Sequence, residues 1–141
     1  KNFSERFFFF IFTKTGVMPY AKEILNYLQP HYNLYILSNG FRELQERKMK
    51  AAGLFDYFKD IILSDDIQVN KPHAELYLYA LEKTRSQCEN SIMIGDSWKN
   101  DVMGPSKVGL QQIFYNVEGK TDFPVQPTYV VNSLKEIEQI L

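Results

Sequence analysis

Cysteine is nearly absent: Cys88 is the single one in 141 residues, so no disulfide can form within the chain. A lone thiol with no partner suits a reducing compartment, and the expected setting is the cytoplasm. Cys88 itself reads as an inert thiol near a helix end. Charge of one sign is also missing, with sixteen Lys and Arg against seventeen Asp and Glu and a net charge of -1. Such a balance supplies no global basic field for nucleic acid or an anionic membrane. The longest purely apolar run, Phe7-Phe8-Phe9-Phe10-Ile11-Phe12, is too short to span a bilayer. It is also a poor signal peptide, since Thr13-Lys14-Thr15 follows it instead of a small-residue cleavage site. No repeat, low-complexity tract or long linker divides the chain. The sequence opens on Lys1 and not Met, which suggests a fragment, a processed product or a trimmed chain.

What is present fits one folded domain. A hydrophobic content of 45% excludes disorder as the ground state, and the length allows a real core. The run at Phe7–Phe12 reads as a buried segment, either the end of a helix or a strand. Apolar residues at Ala21, Ile24, Leu25 and Leu28 have helical spacing between Pro19 and Gln29, and Pro30 ends that helix. Leu34-Tyr35-Ile36-Leu37 reads as a strand, and Phe41 to Ala52 as a helix closed by Gly53. A helical turn over Leu54 to Phe58 precedes a strand at Ile61 to Leu63. A helix from about His73 to Thr84 comes next, then a strand at Ile92 to Ile94 and a helix from Lys99. Strands at Gln112 to Tyr115 and Tyr129 to Val131 follow, before a last helix capped by Ser133. Strands alternating with helices predict an α/β fold, a doubly wound parallel sheet with right-handed crossovers.

Three polar clusters fall at successive strand tips: Ser38-Asn39-Gly40, Lys71, and Asp96 with Asp101. Ligands of such sheets bind outside the carboxyl ends of the strands. A hydroxyl and free turn amides can donate to phosphoryl oxygens, and a lysine ammonium can offset transferring negative charge. Two carboxylates on one loop suit a hard cation such as Mg²⁺. Each cluster also has an ordinary reading: Ser38 as a turn residue, Lys71 as a solvated cation, the acids as helix caps. Their order along one sheet edge favours a shared phosphate and metal site. Trp98 reads as an exposed first-turn aromatic or, less favoured, a stacking surface for substrate. His31 and His73 read as a loop residue and a helix-start residue, and Asp65 and Asp66 as turn caps.

These residues resemble the motifs of the haloacid dehalogenase-like (HAD) hydrolase superfamily. Ser38-Asn39-Gly40 is similar to its second motif, Lys71-Pro72 to its third, and Gly95-Asp96-Ser97 through Asn100-Asp101 to its fourth. The resemblance implies a Rossmann-like core and a Mg²⁺-dependent phosphatase, with Asp96 and Asp101 on the metal. Ser38, Asn39, Gly40 and Lys71 would bind the phosphoryl group, with Ser38 and Lys71 also acting in catalysis. Within the superfamily the chain is most similar to small-molecule phosphatases that include pyrimidine 5'-nucleotidases. The implied partner is a small phosphorylated metabolite, a nucleotide or sugar phosphate, with neither nucleic acid nor membrane involved.

One motif of the family has no match. Its first strand ends in Asp-x-Asp-x-Thr, which carries the nucleophile and the general acid/base, and no Asp-x-Asp occurs in this sequence. The resemblance therefore implies a core over residues 15–141 lacking its first strand. Residues 1–14 would be a remnant of a largely absent helical cap, or a linker, with Lys1 to Phe12 as the last cap helix. Phe7 to Phe12 could instead fill the central strand position, but its Thr13-Lys14-Thr15 tip carries no carboxylate. The chain alone is expected to be inactive. A non-catalytic phosphate- or metal-binding domain is the main alternative. A haloacid dehalogenase is a second, disfavoured because it needs no metal for the two acids to hold. A receiver-type signalling domain is a third, disfavoured because an early strand tip carries Ser38 where such a domain has its Asp.

Overall fold

Every strand of the computed structural model is parallel to its neighbours, in the order β3-β2-β1-β4-β5-β6. The structure describes residues 7–10 and 19–141. The strands are β1 (Phe7–Phe10), β2 (Asn33–Ser38), β3 (Asp60–Leu63), β4 (Ser91–Gly95), β5 (Gln111–Tyr115) and β6 (Tyr129–Val131). This is the order of a doubly wound dinucleotide-type sheet, which reverses direction between its first and fourth strands. The crevice at that switch point lies between β1 and β4. The α/β expectation holds.

Period-two alternation explains how the sheet covers both faces. Leu34 and Ile36 of β2, Ile61 and Leu63 of β3, and Ile92 and Ile94 of β4 pack in one core. Their alternates Tyr35, Leu37, Ile62 and Met93 pack in the other. Successive strand residues point to opposite faces, so a strand covered on both sides must be apolar throughout. Helix α1 (Ala21–Leu28) closes the first face with Ala21, Ile24, Leu25 and Leu28. Helix α2 (Arg42–Ala51) adds Met49 to that face, and a 3₁₀ helix at Leu134–Gln139 adds Leu134 and Ile137. Helix α3 (Ala74–Lys83) closes the other face through Leu76, Tyr77, Ala80 and Leu81. Fully burying one Leu or Ile contributes about 1.5–3 kcal/mol, so these two layers hold the sheet.

The expected cap helix over Lys1 to Phe12 is corrected for Phe7–Phe10. These residues form β1, paired with β2 from Phe7↔Asn33 to Phe9↔Tyr35 and with β4 from Phe7↔Ser91 to Phe10↔Ile94. The expected core without a central strand is corrected with it. A sheet whose neighbouring strands are apolar on both faces takes any apolar run of the right length at its centre. The Thr13-Lys14-Thr15 tip lies outside the described residues. Two further elements differ in kind. The helix expected from Lys99 is a π-helix over Trp98–Met103 continued by the short α4 (Gly104–Ser106). The closing helix is 3₁₀, capped as expected by the Ser133 hydroxyl, with Glu136 reaching back to the Ser133 amide. No helix among the described residues is long and apolar enough to cross a membrane.

Candidate active site

The three strand-tip clusters meet. Ser38 ends β2 and is buried. Asn39, the next residue, grips the main chain of Lys71 from both sides. Its Oδ1 accepts from the Lys71 amide at 2.7 Å, and its Nδ2 donates to the Lys71 carbonyl at 3.2 Å. One side-chain amide thus fixes the loop after β3 against the tip of β2, as Asn can because it carries both donor and acceptor. The Lys71–Pro72 peptide is cis.

Lys71 then turns its ammonium into the interior. Nζ donates to the Leu37 carbonyl at 3.2 Å and lies 3.7 Å from Asp101 Oδ1, with both side chains almost wholly buried. Burial lowers the affinity of Lys71 for its proton, while the charges of Asp101 and Asp96 pull the other way. Burial likewise raises the proton affinity of Asp101, opposed by Lys71 and by the Ser97 N–H. Charges taken out of water persist only when paired, and here each is the other's partner.

Asp101 reaches this position because β4 ends in glycine. A methyl built on Gly95 would lie 2.1 Å from Asp101 Oδ2 and 2.3 Å from its Cγ. The carboxylate therefore lies directly against the Gly95 backbone. There Oδ2 accepts from the Ser97 amide at 2.9 Å, and the Asp101 amide donates back to the Ser97 carbonyl at 2.8 Å. The Ser97 hydroxyl accepts from the Asn100 amide at 3.2 Å, capping the π-helix. Wide turns of this kind recur at functional sites, where they re-aim a side chain. A second close approach fixes the other end. Tyr77 of α3 donates its hydroxyl to the Asn100 carbonyl at 2.5 Å and passes over Gly104, where a methyl would lie 2.2 Å from the hydroxyl oxygen. Burial and the Asp101 charge hold the Tyr77 phenol above its ordinary range, so it stays a donor.

The donor set fits a Mg²⁺ site completed from outside the protein. Asp101 Oδ1 is buried and accepts no hydrogen bond, and Asp96 contributes a second carboxylate close enough to perturb both Asp101 and Lys71. Among the described residues no cluster of three or more His, Cys, Asp or Glu could hold a metal. Mg²⁺ is often held by one or two carboxylates, with water and phosphate oxygens filling the rest.

Other residues settle differently. Trp98 is neither a free first-turn ring nor an open platform. It is half-buried, 5.5 Å from Phe114 and 5.6 Å from Phe123, with Lys120 Nζ 4.8 Å over its face. Asp66 does more than cap its turn. It accepts from the Leu63 amide and pairs with Arg42 and Lys83. His73 precedes α3 as expected. The Cys88 thiol donates to the Val108 carbonyl, and burial raises its pKa, which suits an unreactive group. Sequence reasoning missed the roles of Gly95, Tyr77 and Gly104. A glycine ending an apolar strand immediately before an acid was the available signal for close backbone approach.

The comparisons with known proteins agree with this geometry. The family model for haloacid dehalogenase-like hydrolases matches residues 3–109. Pyrimidine 5'-nucleotidase YjjG of Escherichia coli is 32% identical over 126 residues, covering 88% of this chain and 56% of that protein. Glyceraldehyde 3-phosphate phosphatase of Methanothermobacter thermautotrophicus is 29% identical over 87 residues, covering 62% of this chain and 38% of that protein. The magnesium-bound crystal structure of the HAD-hydrolase YfnB from Bacillus subtilis superposes with a TM-score of 0.83 at 33% identity, covering 88% of this chain and 55% of that one. The chain spans about half the length of the curated relatives it matches.

Proposed function

Because the chain belongs to the haloacid dehalogenase-like hydrolase family, we propose that its sheet edge is the phosphoryl and Mg²⁺ site of a phosphomonoester hydrolase. The observation that carries this reading is the linkage of Ser38-Asn39, Lys71 and Asp101 into one assembly in which Ser38, Lys71 and Asp101 are buried. The Ser38 hydroxyl and the turn amides of Asn39 and Gly40 hold phosphoryl oxygens. The Lys71 ammonium offsets their charge, held in place by its bond to the Leu37 carbonyl and by the nearby Asp101 carboxylate. Asp96 and Asp101 hold Mg²⁺, which supplies Lewis-acid stabilisation of charge on the phosphoryl group. The burial of Ser38, Lys71 and Asp101 strengthens their interactions relative to water.

The substrate is a small phosphorylated metabolite, a nucleotide or sugar phosphate, and the setting is cytoplasmic. The relatives named above as nucleotidase and phosphatase support the substrate class. The core unit takes in Phe7–Phe10 as its central strand together with residues 19–141. No Asp-x-Asp occurs in the sequence, so these 141 residues bind phosphate and metal without turning over. That same observation favours the second reading, a non-catalytic binding domain, should the native protein carry no nucleophile elsewhere. Paired acids with no role in a metal-free reaction set dehalogenation aside.

The test is hydrolysis of pyrimidine nucleoside monophosphates and p-nitrophenyl phosphate by protein purified from its native source. Mg²⁺-dependent turnover falling at least about a hundredfold in Lys71→Ala and Asp96→Ala is expected. Turnover that survives both substitutions overturns the site.

A further inference from the structure

Gln45 is a buried polar side chain that nothing above explains. It sits on α2, one turn beyond the Ser38-Asn39-Gly40 turn, and is only 8% exposed. Gln45 makes no side-chain hydrogen bond among the described residues, and neither does the Ser38 hydroxyl. The two nevertheless face the same small space. A methyl built on Gly40 would lie 2.7 Å from Gln45 Nε2 and 3.4 Å from Ser38 Oγ. Glycine at position 40 is what lets the Gln45 amide lie against the turn, since the Gly40 backbone does not take the left-handed conformation that would require it.

We propose that Gln45 is a positioning residue of the phosphate site, acting through Ser38. When an oxyanion enters the turn, Gln45 Nε2–H donates to the Ser38 Oγ lone pair, and the Ser38 O–H points at the phosphoryl oxygen. A hydroxyl can donate one bond while accepting another, and hydrogen bonds in series polarise and strengthen one another. The Gln45 amide, which bonds to no other side chain or backbone group among the described residues, thereby gains a partner on binding. No charge is added, so the effect falls on the phosphoryl group and not on Mg²⁺. This inference rests on the proposed phosphate site and goes one residue beyond it.

The experiment is titration of the full chain with inorganic phosphate at saturating MgCl₂, followed by ³¹P NMR and calorimetry. The proteins are wild type, Gln45→Met, Gln45→Glu, Ser38→Ala and the Ser38→Ala/Gln45→Met double variant. Gln45→Met keeps the volume and removes the donor, and a loss of about tenfold in phosphate affinity is expected, with Mg²⁺ affinity unchanged. Gln45→Glu keeps the shape even if Met does not fit, and it replaces the donor by a carboxylate, so the loss is larger. In the Ser38→Ala background the Met substitution adds nothing, because the group it acts through is gone. Phosphate affinity within twofold of wild type for both Gln45 variants overturns the proposal. So does a loss that adds in full to that of Ser38→Ala, which is what a merely structural role would give. Absence of Mg²⁺-dependent phosphate binding by wild type overturns the underlying site, and this inference with it.

Discussion

Gly95→Ala is a one-carbon change with a large expected cost. The added methyl would sit 2.1 Å from Asp101 Oδ2, 2.3 Å from Cγ and 2.8 Å from Cβ, so no rotation about the Asp101 side chain clears all three. Asp101 is 0% exposed and cannot swing into water. Gly95 lies in β4 without a positive φ, so the backbone accepts alanine and the whole cost is steric. Overpacking of this kind costs about 1–3 kcal/mol. Displacing the carboxylate also breaks its charge-assisted bond from the Ser97 amide, about another 1.5–3 kcal/mol. A total near 3–5 kcal/mol follows, lowering Tm by roughly 10 °C for a chain of this size. Urea denaturation gives the first figure and calorimetry the second. The double variant Gly95→Ala/Asp101→Gly removes the three nearest clashing atoms, and there the alanine is expected to cost less than about 0.5 kcal/mol. A single variant within about 1 kcal/mol of wild type would refute the reasoning, as would an equal cost in both backgrounds.

Three other perturbations probe the same assembly. Lys71→Met leaves the Asp101 carboxylate buried without its cation and is expected to destabilise by about 3–5 kcal/mol in urea, most of it recovered in Lys71→Met/Asp101→Asn. Gly104→Ala drives a methyl into the Tyr77 ring and hydroxyl, with a cost of about 2–4 kcal/mol that Tyr77→Phe relieves in part, since only the nearest of the clashing atoms is removed. The raised pKa of Tyr77 fixes the sign of its pH dependence. The folded phenol stays protonated while the unfolded one ionises near pH 10, so its contribution is intact below that pH and declines above it. Stability measured from pH 9 to 11 should therefore fall more steeply in wild type than in Tyr77→Phe, by about 1.4 kcal/mol per pH unit once past pH 10.

Much of this was legible in the sequence because the chemistry sits where strands end. The apolar runs of β2, β3, β4 and β5 marked four strands, and each polar residue breaking a run marked a tip. Ser38, Lys71, Asp96 and Asp101 came from that pattern together with the family resemblance. The central strand was harder. Phe7–Phe12 has no polar residue to set a period, and an unbroken apolar run looks the same whether it packs as helix or strand. The departure of Trp98–Met103 from α geometry follows from Asp101 tucking under Gly95, a tertiary contact with no local signature. Trp98 was misread because its partners Phe114, Phe123 and Lys120 arrive from far along the chain. Gln45 was invisible for a related reason: in a helix with few apolar residues, one more polar side chain raises no question until its burial is known.

The central claim is that Asp96, Asp101, Lys71 and the Ser38 turn form one Mg²⁺ and phosphate site. Calorimetric titration of the chain with MgCl₂, with and without inorganic phosphate, tests it most directly. The account predicts saturable Mg²⁺ binding that tightens when phosphate is present, is lost in Asp96→Asn, and no longer responds to phosphate in Lys71→Ala. Mg²⁺ binding that ignores phosphate in wild type, or that persists unchanged in Asp96→Asn, would contradict it.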